Sequence, residues 1–352
     1  MLTPQFWEGR RVLLTGHTGF KGGWAGIWLS SMGAKVYGLS LAPSSSPNLS
    51  NIIGTDHLAG SIMGDVRKLQ TVSAAVEAAR PDIVIHMAAQ ALVRESYRDP
   101  VTTFDTNVLG TVHLLDALRR ADGLKGVLIV TSDKVYENRD DDHCFTESDR
   151  LGGDDPYSAS KAAAEVVVQA YAKSYFQPLG IPIATARAGN VIGGGDWSAD
   201  RLLPDIWRAS QIGETVELRY PQSTRPWQHV LEPLSGYFTY VEHLLADADG
   251  RLPRAMNFGP NDDRSLTVAE VADRMNRALG LDEKWQKGAE PSHPEKTKLA
   301  IDASLAHTAL QWRAKLTAEE AVQWTADWYK AHGEGAAMFD YSMQQIAAYS
   351  GR

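Results

Sequence analysis

The feature that most limits what this chain can fold into is an alternation of short apolar runs and stretches of helical period, repeated through its first half. The runs are RRVLLTG (10–16), AKVYGLS (34–40), LAGSIMGD (58–65), DIVIHMAA (82–89) and KGVLIVTS (125–132). Between them, residues 20–32, 69–80 and 101–120 read as helices, with Gly33 placed to cap the first. A strand that is apolar on both faces must be covered on both faces. Helices returning the chain to the start of the next strand supply that cover and make the sheet parallel. The expected fold class is α/β, a doubly wound parallel sheet.

Beyond Gly193 the pattern loosens. A helix is expected at 157–175 and a further strand over IPIATARAGNVIG (181–193), followed by the loop-rich GGGDWSADRLLPD and YPQSTRPWQHVLEP. Helices follow at 232–245, 267–279 and 318–332. Residues 1–193 are expected to form mainly a nucleotide-binding domain. Residues 194–352 are expected to form a smaller C-terminal substrate-binding domain with interleaved segments, about 228–260 returning to the sheet.

At 352 residues the chain can bury a sizeable core, and most of its ten tryptophans are expected there. A net charge of −8 argues against a nucleic-acid partner. Cys144 is the only cysteine, so no intrachain disulfide forms. His143 beside it lacks a second ligand pair at metal spacing, and no metal is expected. The first strand begins with no charged-then-apolar leader before it, and no apolar run approaches the roughly 20 residues that span a bilayer. A soluble, cytoplasmic protein is expected, with no membrane partner.

LLTGHTGFKGGW (13–24) sets Gly16, Gly19 and Gly22 three apart, after the first strand and opening the first helix. Glycine lets the backbone turn tightly and approach a diphosphate, while the helix N-terminus offers unpaired amides and the positive end of its dipole. The reading is a Rossmann-like dinucleotide site, with Phe20 at its rim. Asp65 and Val66 after the third strand, and Ala88 and Ala89 after the fourth, stand where the cofactor would run. An acid about 20 residues on usually holds the adenosine ribose. Residues 34–55 contain neither Asp nor Glu, so the positive sign for NAD over NADP is missing. No arginine follows the second strand to pair a 2′-phosphate either, and NAD is the expected cofactor.

The fifth apolar run ends in TSDKVYEN (131–138), which delivers Ser132, Asp133 and Lys134 side by side. Downstream, DPYSASKAAAE (155–165) places Tyr157 and Lys161 four apart, on one face of a helix. A nearby ammonium favours phenolate, which suits a tyrosine to take a proton from an alcohol as hydride leaves for a nicotinamide. Asp133 and Lys134 are either a second proton-handling pair or a local ion pair at the strand end.

The glycine turn, the serine-bearing strand end and Tyr-x-x-x-Lys, in this order, resemble the extended short-chain dehydrogenase/reductase family. HMAAQ, TNVLGTVHLLDA and MNFGP extend the likeness over almost the whole chain. The resemblance implies Ser132 as hydrogen-bond donor to the reacting oxygen, Tyr157 as base, and Lys161 as ribose contact that depresses the tyrosine pKa. Within that family, GHTGFKGGW, SDK and RPWQHVLEPLSGY are most similar to the nucleotide-sugar 4,6-dehydratases, and the Asp-Lys pair to the branch acting on CDP-glucose. This implies C4 oxidation, loss of water across C5–C6 with Asp133 as acid and neutral Lys134 as base, and hydride return to C6. It also implies Asn190 and Arg201 as sugar-nucleotide contacts, Arg225 as a diphosphate contact, and a homodimer or homotetramer. A nucleotide-sugar 4-epimerase, a dehydratase of a TDP- or GDP-sugar, and a non-catalytic NAD-binding protein are the alternatives.

Overall fold

The structure, a computed structural model, describes residues 2–260, 266–282, 285–289 and 298–352. Its centre is a seven-stranded parallel sheet of β1 (Arg11–Thr15), β2 (Lys35–Ser40), β3 (Gly60–Met63), β4 (Ile83–His86), β5 (Gly126–Val130), β6 (Ile183–Arg187) and β7 (Ala255–Asn257). The spatial order is β7-β6-β5-β4-β1-β2-β3. Every residue of β4, β5 and β6 is buried, as an apolar run covered on both faces requires.

Alternate residues feed two clusters. On one face Leu13, Val84, Val127 and Ile129 pack with two helices, α2 (Leu69–Ala79) and α3 (Gly110–Leu118), through Val72, Leu114 and Leu118. On the other face Val12, Leu14, Ile85 and Leu128 meet α1 (Phe20–Ser31), which contributes Trp24 and Trp28. The second half closes over this face. Helices α5 (Leu202–Gln211), α6 (Leu231–Ala246), α7 (Val268–Leu279), α8 (Ala318–Gly333) and α9 (Met338–Ser350) share one continuous core with it. Among the described residues no helix is long and apolar enough to cross a membrane.

Three expectations need correction. The helix expected at 101–120 is Pro100–Phe104, a widened turn over Asp105–Leu109, then α3; the one at 157–175 is α4 (Pro156–Tyr171) followed by a similar widened turn, Ala172–Phe176. Such turns shift hydrogen bonding from i+4 to i+5 and leave no mark on hydrophobic periodicity. The strand expected at 181–193 breaks after Arg187, and Val191–Ile192 pairs instead with Gln228–His229. The break is built by Asn190, whose φ of +45° lies in the left-handed region, and by Gly189.

Candidate active site

The sheet order reverses between β1 and β4, which opens a crevice at the carboxyl ends of these strands. Gly16 lies there at φ +81°, and a β-carbon on it would stand 2.8 Å from the Ala88 amide nitrogen. One on Gly22 would lie 2.0 Å from the Gly16 carbonyl oxygen, so the turn and the first turn of α1 come together only as glycine. Gly19 is the N-cap of α1 and offers no side-chain cap, leaving the helix amides free for an anion. Thr15 braces the crevice, its hydroxyl 2.7 Å from His86 Nδ1 and accepting from the amides of Met87 and Ala88. A cradle that any β-carbon would fill, at a helix N-terminus, fits the diphosphate of a dinucleotide.

The expected cofactor contacts do not all stand free. Asp65 is held by Arg67, whose guanidinium donates at 2.7 Å and keeps the carboxyl below its ordinary pKa. Val66 packs beneath Gly110, whose β-carbon would meet its Cγ2 at 2.9 Å. Phe20 opens α1 against Gly193. In place of the missing acid after β2, Thr18 and Ser40 join hydroxyls at 2.7 Å.

At the end of β5, Ser132 turns the chain with its hydroxyl, accepting from the Lys134 amide at 3.2 Å and donating to Asp133 Oδ1 at 3.1 Å. Asp133 is 1% exposed, and its Oδ2 has no hydrogen-bond partner among the described residues. A β-carbon on Gly189 would lie 1.6 Å from that Oδ2, so the residue after Ala188 leaves room for the carboxylate. Lys134 points its chain along a cleft shared with Tyr97, Tyr136, Asp154 and Asp155.

Tyr157 and Lys161 lie on the first turns of α4, which is capped by Asp155. The Tyr157 amide donates to Ser96 Oγ at 3.1 Å, and Lys161 Nζ donates to the Val130 carbonyl at 3.2 Å. Burial draws Lys161 down to about 8, opposed by Glu165 one turn along. The tyrosine departs from expectation. Burial pushes its phenol above the ordinary value, the Ser132 hydrogen bond and Arg201 oppose this, and Asp133 adds to it. Desolvation outweighs the groups that favour the phenolate.

Asn190 carries a buried amide nitrogen without a hydrogen-bond partner among the described residues. Arg201 begins α5, reaches the Ala91 carbonyl at 3.4 Å and acts electrostatically on Tyr157. Arg225 is buried on a short strand pair with Leu266 and donates to the Thr224 carbonyl at 2.8 Å.

Four groups escaped the sequence reading. Lys21 and Tyr237 flank the site, with the Lys21 amine 5.6 Å from the Tyr237 ring centroid. Asn107, in the widened turn before α3, donates to the Gln90 carbonyl at 3.0 Å and to Ser160 Oγ at 2.8 Å, tying the loop after β4 to α4. Glu165 takes hydrogen bonds from Thr131, Thr185 and Arg187, and Arg187 donates on to the Tyr136 hydroxyl at 2.9 Å. Only Lys21 had a signal, an ammonium inside the glycine turn.

A crossover crevice with a glycine cradle, and Ser132, Tyr157 and Lys161 at the adjoining strand end, define the extended short-chain dehydrogenase/reductase class. Residues 13–325 match the family model described as GDP-mannose 4,6 dehydratase, and the chain belongs to that family. It is 42% identical to the CDP-glucose 4,6-dehydratase of Salmonella typhimurium, over 99% of this chain and 98% of that one. Among solved structures it resembles a dTDP-glucose 4,6-dehydratase from Bacillus anthracis in complex with NAD (TM-score 0.77, 25% identity, 93% of this chain and 99% of that one). It resembles equally a UDP-glucose 4-epimerase from Thermus thermophilus in complex with NAD (TM-score 0.78, 25% identity, 91% and 99%). The fold is thus common to dehydratases and epimerases, and the choice between them falls to the site.

Proposed function

We propose that this protein is a hydro-lyase, an NAD-dependent CDP-glucose 4,6-dehydratase, converting CDP-D-glucose to CDP-4-dehydro-6-deoxy-D-glucose. The observation that carries the reading is Asp133. It adds to Ser132, Tyr157 and Lys161 a buried carboxyl oxygen with no partner among the described residues, beside the tyrosine. An alcohol dehydrogenase or a 4-epimerase has no proton to deliver to a departing hydroxyl. The near full-length likeness to a CDP-glucose enzyme supports the choice of nucleotide.

NAD+, held by the Gly16–Gly22 cradle, Phe20, Asp65, Val66, Ala88 and Ala89 and by Lys161 at its ribose, supplies the hydride acceptor and donor. Tyr157 takes the O4 proton of the sugar, with Ser132 donating to the same oxygen. The ketone so formed acidifies C5–H, which is why oxidation comes first. Lys134, as the neutral amine, removes the C5 proton while Asp133 gives one to the C6 hydroxyl, which leaves as water. Lys134 then returns a proton to C5. Each turnover leaves one proton extra on Tyr157 and one fewer on Asp133, and Ser132, hydrogen-bonded to Asp133 at 3.1 Å, lies between them to restore the balance.

Asn190 and Arg201 are assigned to the sugar and Arg225 to the diphosphate, where a guanidinium fork suits two phosphate oxygens. Residues 1–193 act mainly on NAD and 194–352 mainly on the substrate, with 228–260 interleaved. A homodimer or homotetramer working in the cytoplasm is proposed as well. Val101, Phe104 and Leu109 before α3 and Val166 and Tyr175 along α4 and the turn after it are exposed apolar residues on two neighbouring helices, and sedimentation velocity reads the assembly. Glucose coupled in turn to CDP, dTDP, GDP and UDP, with mass analysis for loss of water, tests the function. Turnover of CDP-glucose alone or foremost is expected. Preference for another nucleotide, or a product of unchanged mass, would overturn it.

A further inference from the structure

Gln228 is an amide set inside a core. It lies on the two-residue strand Gln228–His229, within the RPWQHVLEP segment, and is 2% exposed. Its Nε2 donates to two carbonyls, that of Gly189 at 3.0 Å and that of Phe258 at 3.1 Å. Its backbone amide donates to the Asn190 carbonyl at 3.3 Å. Both hydrogens of the side-chain nitrogen are thereby used, which fixes the way the amide faces. The Oε1 is left buried, with no hydrogen-bond partner among the described residues. A buried amide with one end unmet is costly, so its purpose lies in what the nitrogen holds.

What it holds is the break in the chain after β6. Asn190 stands there at φ +45°, a conformation that a residue with a side chain keeps only where its surroundings enforce it. Gln228 grips the break from one side. From the other, the Asp133 amide donates to the Ala188 carbonyl at 3.4 Å. Between the two lies Gly189, where a β-carbon would stand 1.6 Å from Asp133 Oδ2. The Gly189 backbone is thus the wall against which the Asp133 carboxyl rests, and Gln228 anchors that wall. The anchor reaches β7 as well, since Phe258 follows that strand and its amide donates to the carbonyl of Arg187, the last residue of β6, at 2.8 Å. We propose that Gln228 is a positioning residue for the elimination step, acting through Gly189 to hold the Asp133 carboxyl in place to protonate the departing C6 hydroxyl. This rests on the reading of the protein as a 4,6-dehydratase. C4 oxidation does not depend on the wall, because Tyr157 and Lys161 hang on α4 and are tied to Ser96 and Val130 instead.

The test separates the two halves of a turnover. Gln228→Met keeps the length and bulk of the side chain and removes both donors. In single-turnover stopped flow of the NAD-loaded protein with CDP-glucose, reduced nicotinamide should appear as fast as in wild type. Its decay, and the dehydrated product that accompanies it, should slow about 10- to 100-fold, the scale on which a misplaced catalytic group costs rate. A residue that merely supports the core would slow both phases together or leave both alone, and either result would overturn the proposal. Gln228→Asn keeps an amide but draws it one methylene back from both carbonyls. It should show the same selective loss, and it stands in for the Met variant if that one does not fold. Added to Gly189→Ala, Gln228→Met should slow the decay little further, because the carboxyl is already displaced. Losses that multiply would place Gln228 on a separate route and would also overturn the assignment. A wild type that releases no water would bring down the dehydratase reading and this assignment with it. A wild type that dehydrates, with variants whose two phases keep its ratio, would bring down the assignment alone.

Discussion

Gly189 shows how closely single atoms are fixed around the reacting groups. Its φ is not in the glycine-favouring region; it is glycine because Asp133 occupies the space where a β-carbon would go. Gly189→Ala should therefore displace the carboxylate without unfolding the chain, so that C4 oxidation persists while water loss falls by about 100-fold or more, the lower end of losing a positioned acid. Stopped-flow absorbance of the reduced nicotinamide would show the first step, and product mass the second. Unimpaired elimination would mean that Asp133 delivers no proton. Tyr157→Phe belongs to the same scale. It should lower turnover by about 100-fold or more with NAD still bound, because the phenol is a proton acceptor and not the main anchor. Near-normal turnover in the folded variant would remove Tyr157 from its role.

At the scale of elements, the strand–helix alternation and the glycine spacing were legible because burial on both faces and a diphosphate-sized turn each demand a local pattern. The widened turn carrying Asn107 and the break at Ala188–Asn190 were not. Both depend on neighbours distant in sequence, Gln90 and Ser160 for one and Asp133 for the other. The same holds for the Glu165–Arg187 pair, which joins α4 to β6 beneath the catalytic loop with side chains 1% and 2% exposed. Nothing in AAAEVVV marks that glutamate as buried. Glu165→Gln should cost roughly 3–5 kcal/mol, since it strands a buried guanidinium. Urea unfolding would measure it, and a loss under about 1 kcal/mol would mean that Arg187 finds another partner.

For the whole molecule, one core runs from α1 through α6 to the C-terminal helices, and it encloses a titratable group. His229 is fully buried between the edges of Trp24 and Trp324, and burial pulls it down to about 3. An unfolded histidine takes its proton near 6.5, so between about pH 6.5 and 3 the unfolded chain binds more protons and stability falls as pH drops. His86, likewise held at about 3, acts in the same direction. His229→Phe should flatten part of the decline in urea midpoint between pH 6.5 and 4.5. A slope equal to wild type would show that this histidine does not contribute.

The same core places the cofactor cradle and Asp133 at one crevice, and the central claim is that both act in one catalytic cycle. The most direct measurement follows deuterium from C4 of CDP-glucose in a single turnover. The account requires it at C6 of the same product molecule, with C5 carrying hydrogen from solvent. Asp133→Asn and Lys134→Met should form the C4 ketone and stop there. Deuterium retained at C4, with C5 unexchanged and the C6 oxygen still present, would contradict the account and leave an epimerase in its place.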